Sequence, residues 1–392
     1  MKHWINKLLE PKTVLVVYGL IIIVSSVLDW SQPGEMKGEF YNTHYNNYVI
    51  FKQSFQHFFY EKDLYIGYPT EHWDLYKYSP AFAIFMGIFH FLPNVVGLSL
   101  WNLLNALLLI YGILKLPIFD TKTKSIISYL IFFDLITANQ NSQSNALVAA
   151  LAIWLFNAIF HERSVTSAIS IATNFLIKVY GLAFGFLLLF AKKPVRPIIF
   201  SGVAIIIGLA LPFAFKSLEY VISVYESWIK MMLNDQDESV GKSVAGILDS
   251  WFGLSVNKII MLVGSFMVYP ILLIKRSYFF EPKNLALLLA SMLVWIVIFN
   301  HKAESNTYVI AMVGVGIWFF LQEKLHTWHW IVLGSCFLLV SLSPTDLFPN
   351  FLNKTYVQPY SLKALPCTGV WLISLYQLYK NAFTSQQLTI TR

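Results

Sequence analysis

The sequence predicts an all-α integral membrane protein of about twelve transmembrane helices, with a large polar loop after the first of them. Three observations carry that expectation. Charged residues make up 12% of the 392-residue chain and hydrophobic ones 57%, where soluble domains carry about a quarter charged. Apolar runs of about sixteen to twenty-two residues recur throughout, and about twenty helical residues cross a bilayer. The runs are continuous, whereas barrel strands would alternate. The net charge of +7 comes from basic residues scattered at the ends of those runs, where topology places them. With no basic stripe, nucleic acid is not an expected partner; membrane lipids or a phosphate-bearing lipid are.

The first span runs from about Thr13 to Asp29 behind Lys2, Lys7 and Lys12, which puts the N-terminus in the cytoplasm and the loop at 30–80 outside. No small-residue cleavage pattern follows the N-terminal run, so it is read as a retained helix. Within the loop Tyr48, Phe51, Phe55, Phe58 and Phe59 recur at helical spacing, as in an amphipathic helix on the membrane surface or one packed on the bundle. Ser79 to Leu92 is short for a span and breaks at Pro93, so it is read as half-inserted. Spans then follow at Gly97–Lys115, Ser125–Ala138 and Ala146–Phe160, with a broken pair at 165–177 and 180–190 around Lys178. Pro197–Phe215 leads to a second outer loop at 216–253, whose Val221, Tyr225, Trp228 and Met232 share a helical face. The remaining spans are Ser255–Ile274, Leu285–Phe299, Tyr308–Leu321, Trp328–Ser341 and Leu362–Tyr379. Both termini are thereby cytoplasmic, and residues 1–392 form a single membrane domain.

On this topology the unusual polar groups gather on the outer face. They are the first loop, Asn139-Gln140-Asn141 with Gln143 and Asn145, Lys178, the DQDESVGKS stretch, and NHKAESN at 300–306. Lys178 interrupts an apolar run, where a charge costs about 2.5–3.5 kcal/mol. It points to a cavity and an anionic partner such as a lipid phosphate, or else snorkels to the interface. Asp134 pairs with it, lines the same cavity, or makes a structural hydrogen bond. His301, Lys302 and Glu304 could hold a leaving phosphate and move a proton, or form an ordinary solvated loop. Cys336 and Cys367 form no metal or redox motif, and neither a metal nor a cofactor is expected.

Tyr76-Lys77-Tyr78-Ser79-Pro80 ends the first loop, preceded by Asp63-Leu64-Tyr65; Asn139-Gln140-Asn141 opens a later span and Lys178 lies in a broken helix pair. In this order the motifs resemble the GT-C glycosyltransferases, specifically family 87, the DUF2029 group of polyprenol-phosphate-mannose-dependent mannosyltransferases. The resemblance covers most of the chain, and implies the GT-C fold and transfer of a hexose, mannose foremost, on the outer face. The donor would be a polyprenyl-phosphate sugar and the acceptor a lipid-linked or envelope glycan. It implies inversion at the anomeric carbon with a first-loop carboxylate as general base. The motifs of the resemblance and the polar groups read above together give the candidate substrate site: Asn46, Asn47, Tyr65, Lys77, Tyr78, Asp134, Asn139, Gln140, Asn141, Lys178, His301, Lys302 and Glu304. The chain departs from the pattern at Asn47, where the family has an aspartate, and an amide cannot accept the proton. Glu39 is the first candidate to take that role and Asp74 the next. A bacterial inner membrane with a periplasmic active site is the expected location. A transporter of lipid-linked saccharides would instead need paired interrupted helices in corresponding halves, and an inactive family member would explain Asn47.

Overall fold

The computed structural model describes residues 2–234 and 240–384, so the Asp235–Ser239 part of DQDESVGKS lies outside the described residues. Helices dominate. After α1 (Lys2–Leu8) comes α2 (Pro11–Ser31), with a proline in its first turn, where the missing N–H costs nothing. A small antiparallel hairpin, β1 (Glu35–Lys37) with β2 (Phe40–Asn42), turns through Gly38 at φ +64, an exception to the all-helical expectation.

The first loop continues through α3 (Asn46–Phe59). Tyr48, Phe51 and Phe58 are fully buried, so its aromatic stripe packs on the bundle. At Gly97 a Cβ would collide with the Tyr48 hydroxyl, so only glycine admits that approach. The stretch at 80–90 forms two short helices, α4 (Pro80–Phe85) and α5 (Gly87–His90). Ser79 caps the first by accepting from the Phe82 N–H at 3.2 Å.

The bundle proper follows with α6 (Asn94–Leu114), α7 (Thr121–Leu130), α8 (Phe132–Gln140), α9 (Asn145–Phe160) and α10 (Ser164–Ile177). A 3₁₀ segment at Val179–Phe190 leads to α11 (Val195–Ala210), which Pro212 ends, and to α12 (Leu218–Asn234). Then come α13 (Val244–Phe252), α14 (Lys258–Phe266), a 3₁₀ segment at Pro270–Phe280, and α15 (Pro282–Ile298). The chain closes with α16 (Tyr308–Phe320), α17 (Thr327–Cys336), the short α18 (Asn350–Leu352) and α19 (Ala364–Thr384).

The centre consists of α9, α15 and α16, which pack on one another. Every side chain of α15 from Leu285 to Ile298 is buried, and α16 is buried from Tyr308 to Phe319. Around them α2 packs on α6, α6 on α9, α10 on α9 and α11, and α19 on α15. The peripheral helices expose apolar faces, including Val16, Leu20 and Val24 on α2, Ile206 and Ile207 on α11, and Ile260 and Val263 on α14. Such a belt is stable only against lipid. The stretches Pro11–Ser31, Asn94–Leu114, Val195–Ala214 and Lys258–Phe280 are long and apolar enough to cross a membrane, and shorter apolar helices accompany them. This is a membrane protein.

Candidate active site

The site is built where the first loop meets the broken helix at Lys178. That residue is extended (φ −139, ψ 117) between α10 and the 3₁₀ segment. Its N–H still bonds to the Asn174 carbonyl at 2.8 Å, and the Gly181 N–H returns to the Lys178 carbonyl at 2.7 Å. Gly181 lies so close to the Asn174 amide that a Cβ there would overlap it. The break is therefore held on both sides. The half-buried ammonium donates to Asn145 Oδ1 at 2.7 Å. It lies over the rings of Tyr78 and Tyr180, 5.9 Å and 5.7 Å from their centroids.

From Asn145 the polar contacts continue into the 300–306 loop. Asn145 Nδ2 donates to Asn306 Oδ1 at 3.0 Å, and Asn306 Nδ2 to Glu304 Oε2 at 3.0 Å. The Lys242 ammonium reaches Ser305 Oγ at 2.9 Å, and the Lys242 N–H bonds to the Ala303 carbonyl. Burial pulls the Lys242 ammonium below its usual range, with the Glu304 carboxylate opposing. Gly241, at φ +56, allows this approach, since a Cβ there would meet the His301 carbonyl. The charges of Glu304 and Lys77 both act on Lys178, and those of Asp74 and Glu304 on Tyr78. One cluster thus draws on the first loop, the α8–α9 turn, the helix break, and the loops before α13 and α16.

The first-loop side of the cluster is rigid. Tyr65 donates from its hydroxyl to the Tyr78 carbonyl at 2.8 Å, and Tyr76 to the Ser79 carbonyl at 2.7 Å. Ser79 Oγ crosses to the Leu176 carbonyl at 2.6 Å, just before the break. The Tyr78 hydroxyl donates to Gln143 Oε1 at 3.1 Å. The Asp63-Leu64-Tyr65 motif turns because Asp63 Oδ1 accepts from the Tyr65 N–H at 2.9 Å, while Oδ2 accepts from Ser227 Oγ at 3.0 Å. Lys216 bonds to the Phe59 carbonyl at 2.7 Å and Glu61 at 3.1 Å, so α12 and the turn before it clamp the loop from above.

Asp74 stands at φ +76, a left-handed backbone that a non-glycine residue adopts at a cost. Its carboxylate accepts from the Leu75 N–H at 2.7 Å and pairs with Lys77 at 3.3 Å. Asp74 and Lys77 line a cavity of about 270 Å³ with Asp63, Tyr65, Ser227 and Lys230. Behind it His72 Nδ1 bonds to the Asp74 carbonyl at 3.0 Å, and His57 Nε2 meets Glu71 Oε2 at 2.9 Å. Burial holds both imidazoles below the ordinary value of 6.5, with Glu71 opposing at His57. The fold therefore favours neutral histidines. The stability they contribute is complete above pH 6.5 and is lost as pH falls through their lowered values. Protection factors of the amides across 60–78, which remove the intrinsic pH dependence of exchange, are expected to fall on acidification below that point and to stay flat above it. In a His57→Gln, His72→Gln variant the acid-dependent part should vanish.

Several expectations require correction. Glu39, the first candidate for the base, lies on the exposed turn of the β1–β2 hairpin. Of the three readings open for Asp134, the structure shows the structural hydrogen bond and not a pair with Lys178. Asp134 accepts from Ser341 Oγ at 2.6 Å, on the side of the buried Lys363, whose ammonium reaches the Val340 carbonyl at 3.1 Å. Gln140 points to a different cavity, between α2 and α8, and Asn139 is buried with its carboxamide unpartnered. Asn46 and Asn47 serve the scaffold, Asn46 by pairing with the Trp73 backbone and Asn47 by donating to the Asn141 carbonyl at 2.9 Å. His301 and Lys302 are half-buried in the loop that carries Glu304, and the Lys302 N–H bonds to Asn300 Oδ1 at 2.9 Å. Asn145, Asn306 and Lys242 join the cluster as binding groups; they fall among the outer-face polar residues and stretches noted in the sequence, but none was given a role in the site. An asparagine at the first position of an apolar helix, as at Asn145, was the available signal. Among the described residues no group of three His, Cys, Asp or Glu could hold a metal ion.

Comparison with known families fits this architecture. Among curated proteins none matches the chain. The model of glycosyltransferase family 87 matches residues 76–341, from the tyrosine motif that ends the first loop to the serine that bonds Asp134. That stretch holds Lys178, Asn145, Lys242, Glu304 and Asn306, and it is more than half of the chain, so this protein belongs to glycosyltransferase family 87.

Proposed function

We propose that this membrane glycosyltransferase moves a hexose, mannose foremost, from a polyprenyl-phosphate donor to a hydroxyl of a lipid-linked or envelope glycan. The observation that carries this reading is a strained, exposed carboxylate, Asp74, paired at 3.3 Å with Lys77, whose charge in turn acts on Lys178 at the helix break. A phosphate leaving group needs fixed positive charge where its charge develops. An acceptor hydroxyl needs a carboxylate within hydrogen-bond reach. In this mechanism the acceptor oxygen attacks the anomeric carbon from the face opposite the phosphate. Its proton passes to Asp74. The bond from carbon to phosphate oxygen breaks with its electron pair on the oxygen, and Lys178 and Lys77 stabilise the polyprenyl phosphate released. A single displacement of this kind inverts the anomeric centre.

The acceptor lipid would lie across the α8–α9 turn from the donor. There a cavity of about 620 Å³ has apolar walls from Leu20, Val24, Leu28, Phe132 and Ile136, and Gln140 and Asp29 are polar members of its lining. Its two carboxyl groups, Asp29 and Asp346, disfavour a second phosphate and suit a neutral hydroxyl-bearing headgroup. Lys2, Lys7 and Lys12, before and at the start of α2, favour a cytoplasmic N-terminus, and with about twelve spans the C-terminus is cytoplasmic too and this site faces the periplasm of a bacterial inner membrane.

The test is transfer in liposomes of purified protein, with radiolabelled polyprenyl-phosphate hexoses and a panel of glycolipid acceptors. The expected product carries the sugar with its anomeric configuration inverted. Retention of configuration would reject the single displacement. Transfer from nucleotide sugars alone would reject the lipid-linked donor. Movement of intact donor across the bilayer without a new glycosidic bond would favour a transporter.

A further inference from the structure

At the opposite ends of α9 and α10 from Lys178 lies a cavity of about 340 Å³, lined by Tyr111, Lys115, Trp154, Asn157, His161 and Arg163. The two helices run 16 and 14 residues, so the cavity's charged end, at His161 and Arg163, is about 20 Å from the active site at 1.5 Å per residue. Neither the donor nor the acceptor chemistry uses it. Its polar wall is cationic, and no carboxylate lines it. A second cavity adjoins it, sharing Ala158 and Arg163 and adding Lys192, Lys193 and Arg196. The carboxylate of that second cavity, Glu162, is paired with Lys193 at 3.3 Å.

Two details narrow the ligand. Asn157 is 6% exposed and its Oδ1 is buried without a hydrogen-bond partner, while Nδ2 makes one long bond of 3.5 Å to the Gly112 carbonyl. A buried acceptor left alone is costly, and a phosphate, itself an acceptor, cannot satisfy it. A hydroxyl can. Beside the cavity, Val165 and Ile169 on α10 are exposed at 59% and 58%, one helical turn apart and aligned along the bundle. Tyr111 and Trp154, with ring centroids 5.6 Å apart, supply the amphipathic rings that favour the headgroup level of a bilayer.

We propose that this cavity binds the headgroup of an anionic phospholipid bearing a free hydroxyl, of the phosphoglycerol type. Lys115, Arg163 and His161 hold the phosphodiester, Asn157 Oδ1 accepts from the headgroup hydroxyl, and an acyl chain lies along Val165 and Ile169. Basic pockets between membrane helices bind acidic headgroups by the same physics. The lipid would anchor the ends of α6, α9 and α10, on which Asn145 and Lys178 are mounted.

The full chain, delipidated in neutral detergent, is titrated with phosphatidylglycerol, phosphatidic acid, phosphatidylcholine and free glycerol phosphate, and retained lipid is read by native mass spectrometry. Phosphatidylglycerol is expected to bind about tenfold or more tighter than phosphatidylcholine, and Lys115→Gln with Arg163→Gln to remove most of that margin. In Asn157→Ala the preference for phosphatidylglycerol over phosphatidic acid should disappear while anionic binding remains. Equal retention of phosphatidylcholine, or a double variant that binds as the parent does, would overturn the site. Competition by free glycerol phosphate at the lipid's own affinity would overturn the lipid assignment. These readouts need no glycosyl transfer, so their outcome is independent of the donor and acceptor.

Discussion

Lys178→Met is expected to lower kcat/KM for the lipid-linked donor by about 10²–10³-fold, the usual consequence of removing one fixed donor from a charge-stabilising site. The ammonium is held by Asn145 and stacked over Tyr78 and Tyr180, so it meets a phosphate without reorganising. Methionine fills similar volume without charge, and removing a half-buried cation relieves desolvation, so thermal unfolding should shift little. Lys178→Arg should retain part of the activity, because charge survives while the compact ammonium geometry does not. A methionine variant with full donor turnover would show that the lysine only reaches for the interface. Loss of activity together with a large fall in Tm would mark it as structural.

Asp74→Asn is expected to reduce kcat by about 10²–10⁴-fold, the range that a positioned general base supplies, with donor binding retained. Asparagine tolerates the left-handed backbone that Asp74 occupies, and its amide oxygen can still accept from the Leu75 N–H. The fold should therefore be unchanged, as near-ultraviolet circular dichroism would show. Glu39→Gln is the paired control. On its exposed hairpin turn it should lose little. If Glu39→Gln is inactive and Asp74→Asn is not, the base is Glu39 and the loop must rearrange when substrate binds.

Much of the scaffold was legible because lipid imposes one rule on every span. Apolar length with charged ends marked α2, α6 and α11, and the proline-bounded stretch at 80–90 was recognisable as too short to cross. The β1–β2 hairpin was not legible, since three-residue strands carry no periodicity. The aromatic stripe of α3 was visible, but the pattern is the same whether rings meet lipid or protein. Burial of Tyr48, Phe51 and Phe58 decided for protein.

The site divides in the same way. Lys178, Tyr78 and Lys77 stood out because a charge inside an apolar run, or a tyrosine-rich loop closed by proline, is chemically conspicuous in one dimension. Asn145 and Asn306 are common residues whose meaning lies in each other, 161 positions apart in sequence and 3.0 Å apart in space. Lys242 was hidden in a mixed-charge loop, and Lys363 in an apolar terminal run.

The sequence by itself determined that this is a membrane chain with a lysine interrupting an apolar run, because solvent class and unusual polar residues are properties of the chain alone, and its motifs carried the resemblance to the family whose model it matches. The tertiary structure decided which groups share that lysine's surroundings. It removed Asp134 to a pair with Ser341, left Glu39 on an exposed turn, and brought Asp74, Asn145 and Glu304 to the cluster. Through-space electrostatics falls off with distance between side chains, and only packing sets that distance.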